Sequence, residues 1–171
     1  SILDLEDVPV EDIMIHRKNV IMVNLDDTPT EIINQIMAAP YTRIPVWQGQ
    51  PDNIVGLIHA RDLMRRLREV GLKIGIGDIK SLMSTPWFVP ESTSLFQQLL
   101  AFRSRKEHFA HVIDEYGSFE GIVTLEDIIE EIVGDIDDEY DAINLNIVWD
   151  VIQVEIPQLI ESLKAEIPPE P

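Results

Sequence analysis

The fold is decided by Gly121-Ile122-Val123-Thr124-Leu125-Glu126-Asp127-Ile128-Ile129. Ile122 and Val123 are strand formers behind a glycine, and Thr124 stands where a helix N-cap belongs. Ile128, Ile129, Ile132 and Val133 follow at helical spacing, so the stretch reads as a buried strand running into a helix with almost no loop. Thr124 and Asp127 admit two readings. Thr-x-x-Asp is close to a capping box, in which two side chains satisfy orphan amides at a helix start. The same hydroxyl and carboxylate, one turn apart, could instead face a cleft. A carboxylate accepts from both hydroxyls of a ribose, and amides at a helix start suit a phosphate.

The pattern occurs twice. Gly56-Leu57-Ile58-His59-Ala60-Arg61-Asp62-Leu63-Met64 aligns Gly56 with Gly121 and Asp62 with Asp127. Upstream, Arg43-Ile44-Pro45-Val46-Trp47 matches Phe109-Ala110-His111-Val112-Ile113, residues 24–37 match 90–102, and Asp12-Ile13-Met14 matches Ser81-Leu82-Met83. Each copy reads strand, helix, strand, turn, strand, helix. The period of about 65 residues exceeds that of solenoid units, about 20–50, so the copies are expected to form one pseudo-symmetric α/β pair.

Both copies resemble CBS motifs, and the pair resembles a Bateman module. The second copy is the more specific. Ala110-His111-Val112-Ile113-Asp114-Glu115-Tyr116-Gly117, the Gly121 stretch, and Glu130-Glu131-Ile132-Val133-Gly134-Asp135-Ile136-Asp137-Asp138-Glu139-Tyr140-Asp141 are similar to the CorC/HlyC family, whose cytosolic unit the CNNM magnesium transporters share. Tyr41-Thr42-Arg43-Ile44-Pro45-Val46 supports the same likeness, which covers roughly residues 8–141.

The resemblance implies two CBS motifs, each a small β-sheet covered by helices, packed as a pseudo-two-fold pair. Boundaries are placed at a lead-in of residues 1–10, motif 1 over 11–70, motif 2 over 71–134 with a glycine-rich hinge at 71–77, and an acidic segment and tail over 135–171. It implies a regulatory module that binds an adenine nucleotide, AMP or ATP, for a membrane protein moving Mg²⁺ or Co²⁺. Matched residue by residue, Thr124 and Asp127 would take the ribose. Ile15, Tyr41, Thr42, Arg43 and Ile44 would line the adenine together with Ile122 and His108, and Arg43 would meet a phosphate as a fork-shaped donor. The pseudo-equivalent site of Asp62 and His59 is expected to be weaker or empty, because His59 replaces the usual hydroxyl and Arg61 adds bulk and charge. A head-to-head homodimer, a membrane-embedded transport domain outside this chain and a place on the cytoplasmic face of the membrane follow from the same likeness. Ile15 and His16 depart from the family's usual Thr-Pro, so no hydroxyl is available at residue 15.

Composition sets independent bounds. The chain has 171 residues, enough for a sizeable core, and no cysteine, which excludes disulfides and thiolate metal sites. No apolar run approaches a membrane span, so the polypeptide is expected to be soluble. Of 31 acidic and 13 basic residues, 18 acids and a single base lie from Glu107 onward. A nucleic-acid partner is not expected without a basic footprint. The acidic half leaves an alternative open: a ligand-free interaction module docking a basic partner.

Catalysis is not expected. There is no Gly-x-Ser-x-Gly elbow and no Gly-x-x-x-x-Gly-Lys loop. His108-x-x-His111 would place its rings on opposite faces of a strand, and zinc wants three or four convergent ligands. The acidic run 135–141 reads as a solvated face; Mg²⁺ is expected only together with ATP.

Along the chain, the spacing predicts a short helix or turn over 11–16, a strand over 20–23, and a helix from Pro29 or Thr30 stopped by Pro40. A strand over 44–47, a polar turn over 48–53, a strand over 54–59 and a helix over 61–70 with Leu63, Met64 and Leu67 inward complete the first copy. In the second, strands are expected over 87–89, 109–114 and 121–124, and helices over 94–104 and up to Val133. Residues 143–155 read as mixed strand and 157–166 as an amphipathic helix, in a tail expected to end in a mobile Pro-Pro-Glu-Pro.

Overall fold

Thr28, of the two candidate caps Asp27 and Thr28, is the residue that caps the first helix. Its hydroxyl accepts from the Glu31 amide (3.3 Å), and the Glu31 carboxylate accepts from the Thr28 amide (3.0 Å). With both orphan amides satisfied and Pro29 at the first helical position, helix α1 spans Pro29–Ala38. It ends two residues before Pro40, whose ring disfavours helical geometry in the residue ahead of it. The computed structural model describes residues 4–139.

The chain divides into two units. One comprises Ile15–Pro90 and Ala110–Ile122 and holds two sheets. In the three-stranded sheet, β2 (Val23–Asn24) runs parallel to β3 (Arg43–Gln48), which pairs antiparallel with β4 (Gln50–His59). Helix α1 makes the crossover, as a parallel pair demands. Ile44, Val46 and Ile58 bury one face of this sheet against Ile32 and Ile36 of α1, Leu63 of α2 (Ala60–Val70) and Ile79 of α3 (Ile76–Leu82). The four-stranded sheet has the order β1 (Ile15–His16), β7 (Phe119–Thr124), β6 (Phe109–Ile113), β5 (Phe88–Pro90).

The other unit comprises, among the described residues, 4–14, 91–109 and 123–139. It contains α4 (Leu95–Arg105) and α5 (Leu125–Glu139). Ser94 caps α4 by accepting from the Gln97 amide at 3.1 Å. The lead-in is built into this unit: Val10 N donates to Thr93 O (2.8 Å) and Leu95 N to Val8 O (2.9 Å), with Leu5 and Val10 buried.

Several local expectations shift. Residues 11–16 give a 3-10 turn at Val10–Asp12 and then strand β1, because Ile15 finds Ile122 opposite. The strand expected over 20–23 contracts to β2, preceded by a 3-10 turn at Arg17–Asn19. The turn over 48–53 shrinks to Gly49, at φ +80°, and β4 takes up Pro51 to Asn53. Register irregularities at Val46/Trp47 and Trp47/Gln48 accommodate this, and the Asn53 amide donates to Gln48 O at 2.8 Å. Met64, expected inward, is 44% exposed. Helix α5 continues past Val133 through the acidic residues to Glu139. Tyr140, Asp141 and the tail readings over 143–171 lie outside the described residues.

The glycine-rich segment 71–77 forms a 3-10 turn at Gly71–Lys73, with Gly71 at φ +61°, and then the start of α3. The residues after α3 return to β4: Leu57 and Ser84 exchange backbone hydrogen bonds of 3.0 and 2.9 Å. Gly56 makes this approach close. A Cβ there would overlap Met83 Cε and lie 3.0 Å from Met83 Cβ. Cε ends a flexible side chain and can swing aside, so Met83 Cβ is the contact that resists, and Gly56→Ala is expected to cost about 1 kcal/mol by overpacking. Urea unfolding measures this; an unchanged midpoint would show that the segment after α3 gives way without cost.

Candidate functional site

The start of α5 is set by a strand that enters it without a loop. Leu125 N donates to His108 O (2.9 Å), and Asp127 N donates to Thr124 Oγ1 (3.1 Å). Thr124 is therefore an N-cap, but the box is only half made. The Asp127 carboxylate does not return to the Thr124 amide, and its Oδ2 is buried with no hydrogen-bond partner among the described residues. Side-chain length is not the reason, since Asp78 Oδ2 reaches Gly75 N at 2.9 Å at the head of α3. A buried acceptor without a donor costs free energy. His108 Nδ1 lies 3.7 Å from Glu126 Oε1, so His108, Thr124, Glu126 and Asp127 are brought together within one unit.

The other unit carries the remaining expected residues. Ile15 and Ile122 are cross-strand partners in the β1–β7 pair, half-buried and 6% exposed respectively. Tyr41 and Thr42 are exposed, and Thr42 O accepts from Ala60 N at 2.7 Å. Arg43 is half-buried opposite His59. Ile44 is fully buried, so its side chain belongs to the sheet core and only its backbone is on offer.

The pseudo-equivalent helix start is built differently. His59 Nδ1 caps α2 by accepting from Arg61 N (3.2 Å), and Asp62 lies 3.8 Å from the guanidinium of Arg65. One repeat later the counterpart of Arg65 is Glu130. The first copy thus gives its aspartate a cation one turn on, where the second gives an acid. Burial lowers the pKa of His59, helped by Arg43 and Arg61 and opposed by Asp62.

Of the remaining histidines, His16 Nδ1 accepts from Lys18 N (3.2 Å), and His111 is buried between Phe88 and Phe119. Among the described residues no three His, Asp or Glu side chains gather as metal ligands. A shallow depression of about 420 Å³ at the β3–β4 turn, lined by Gln48, Gly49, Gln50, Asp52 and Asn53, includes none of the expected residues. Sequence reasoning missed Arg17. Its guanidinium donates to Asp52 Oδ1 (2.8 Å) and Phe119 O (3.0 Å), tying the two sheets of one unit directly behind β1. No spacing signals this, because the partners are 35 and 102 residues away.

Comparison with known proteins gives consistent results. The family model described as CBS domain matches residues 10–69 and 76–134. The magnesium and cobalt efflux protein CorC of Pasteurella multocida is 38% identical over 141 residues, covering 82% of this chain and 46% of that protein. The chain spans about half the length of the curated relatives it matches. Among solved structures, the CBS domain of the bacterial CNNM/CorC family Mg²⁺ transporter in complex with ATP is 36% identical, with a TM-score of 0.68 over 78% of this chain and 92% of that one. A CBS-domain pair with bound AMP from Klebsiella pneumoniae is 32% identical, with a TM-score of 0.67 over 74% of this chain and 98% of that one.

Proposed function

Because this chain belongs to the CBS-domain family, as a tandem pair, we propose that it is the adenine-nucleotide-binding regulatory module of a CorC/HlyC-like membrane ion transport protein. The observation that carries this reading is the buried, unpartnered Oδ2 of Asp127 beside the Thr124 cap. Asp127 and Thr124 take the ribose, and His108 stands beside them. Ile15 and Ile122 contribute apolar surface to the adenine, with Tyr41, Thr42 and the backbone of Ile44. Arg43 meets the phosphates, where its planar fork matches phosphate oxygens. Support also comes from the relatives solved with ATP and with AMP.

Regulation follows by population shift. A nucleotide favours whichever conformation of the module binds it more tightly, by as much as the two affinities differ. Mg²⁺ enters with ATP, where it offsets repulsion between the polyphosphate and neighbouring carboxylates. The membrane-embedded transport domain and a second copy of the module are the partners this role requires, and the cytoplasmic face of the membrane is its place.

Calorimetric titration of the purified chain with AMP and with ATP, with and without Mg²⁺, tests the reading. One tight site per chain is expected, with the Asp62 site weak or silent because its carboxylate already has a cation. Two equal tight sites would contradict the assignment, and absence of heat with either nucleotide would end it.

A further inference from the structure

The strand that carries Ile15 is too short to hold its own place. β1 meets β7 through two residue pairs, Ile15 opposite Ile122 and His16 opposite Gly121, and it lies at the edge of the four-stranded sheet. Of two successive pairs in an antiparallel ladder, one exchanges hydrogen bonds and the other does not. The backbone alone therefore secures β1 with few bonds. Yet the Ile15–Ile122 pair is the apolar surface assigned above to the base.

Two side chains bracket this strand. Arg17, the next residue, donates from Nη1 to Phe119 O (3.0 Å) and to Asp52 Oδ1 (2.8 Å). Phe119 opens β7, three residues before Ile122, so the first bond fastens the exit of β1 to the strand it lies on. Asp52 belongs to β4 of the other sheet, so the guanidinium is held from a second side. His16 Nδ1 accepts from Lys18 N (3.2 Å) and turns the chain into the 3-10 turn at Arg17–Asn19. The Arg17 and Asp52 side chains are 33% and 50% exposed, and an ion pair that open adds little stability of its own. Its consequence is geometric. A slip of one residue in β1 would turn Ile15 to the opposite face of the sheet, and a guanidinium anchored at both Phe119 and Asp52 opposes that slip.

We propose that Arg17 is a positioning residue, which locks β1 in register on β7 and so fixes the Ile15–Ile122 pair against which the base of a ligand rests. The lock stands on the contacts of Arg17 within one unit. Only its effect on a ligand rests on the nucleotide reading above.

Hydrogen exchange of the unliganded 171-residue chain reads the lock, and titration with AMP and with ribose 5-phosphate reads its consequence. Arg17→Gln is expected to bring the ladder amides of residues 15–16 and 121–122 at least about tenfold closer to unprotected exchange, with the β3–β4 amides unchanged. A ligand that needs the closed register binds in proportion to the share of molecules that hold it. AMP affinity is therefore expected to fall at least about threefold, while ribose 5-phosphate, which has no base, binds as it does to the parent. Arg17→Lys is expected to restore part of both, since an ammonium still offers three donors. Asp52→Ala leaves the bond to Phe119 O and is expected to speed ladder exchange by less than about fivefold. A circular dichroism melt checks that the variants fold. Equal ladder exchange in the parent and Arg17→Gln would overturn the lock, whether or not nucleotide binds. Faster exchange with AMP affinity unchanged, or with AMP and ribose 5-phosphate weakened alike, would leave Arg17 a structural tie and overturn its positioning role. Faster exchange in a chain whose parent binds no nucleotide would uphold the lock and sink the nucleotide reading.

Discussion

Asp127→Ala is expected to bind AMP and ATP at least about 100-fold more weakly while the unliganded chain melts no earlier than the parent. The two halves of this result have one cause. Hydrogen bonds to a charged acceptor are each worth about 1.5–3 kcal/mol, and a ribose offers two hydroxyls to one carboxylate. Without ligand, Oδ2 has no partner among the described residues, and a buried unsatisfied acceptor costs about 1–3 kcal/mol. The favourable field of the α5 N-terminus returns only about 0.3–1 kcal/mol. Removal of the carboxylate is therefore neutral or stabilising to the empty fold. Thr124→Val separates the roles. It deletes the bond to the Asp127 amide and is expected to lower stability by about 1 kcal/mol, along with affinity. Thermal melts and calorimetry on both chains decide the matter. An Asp127→Ala chain that melts well below the parent yet binds nucleotide unchanged would make this residue a helix cap and nothing more.

The second large effect is one of pH. His111 is fully buried beside Phe88 and Phe119, at ring distances of 5.6 and 6.1 Å. Desolvation lowers its pKa from 6.5 to about 4, against the opposing influence of the Trp87 carbonyl 3.3 Å from Nδ1. The unfolded chain thus takes up a proton at higher pH than the folded one. Above pH 6.5 the residue is neutral in both states and its contribution is flat. As pH falls from 6.5 toward about 4, stability drops, by about 3 kcal/mol across the window. Below that both states are protonated and the slope from this residue vanishes. His111→Phe keeps the ring in its apolar slot, and the bond from the residue 111 amide to Trp87 O (2.8 Å) survives. Its stability is expected to lose most of this dependence. Urea midpoints at pH 7, 5.5 and 4 measure it, and parallel pH profiles for the two chains would assign the acid sensitivity to other groups.

Much of the fold was legible because much of it is local. Thr28 with Glu31, Ser94 with Gln97, and Gly117 at φ +83° behind Asp114 act within four residues of themselves. The apolar stripe of α5 and the alternation along β3 likewise follow from periods the chain carries wherever it is placed. The site was legible in part. The repeat pointed to Thr124 and Asp127, yet capping and binding demand the same residue types at the same spacing. The unpartnered Asp127 Oδ2 is what favours the proposed binding role over capping. Ile44 shows the converse: its position matched, but its side chain went to the core.

By itself the sequence determined two α/β copies, their strand-to-helix junctions, their caps and turns, and which aspartate lacks a basic residue one turn on. Those features rest on interactions between near neighbours and on periodicity. Tertiary structure alone decided that Ile15 becomes a strand against Ile122, that Arg17 joins Asp52 to the Phe119 carbonyl, that Val10 binds the segment before α4, and that Arg43 lies across the sheet from His59. These join residues far apart in the chain, where no spacing rule reaches. Their geometry exists only once the apolar faces have been buried and the backbone between them held in place.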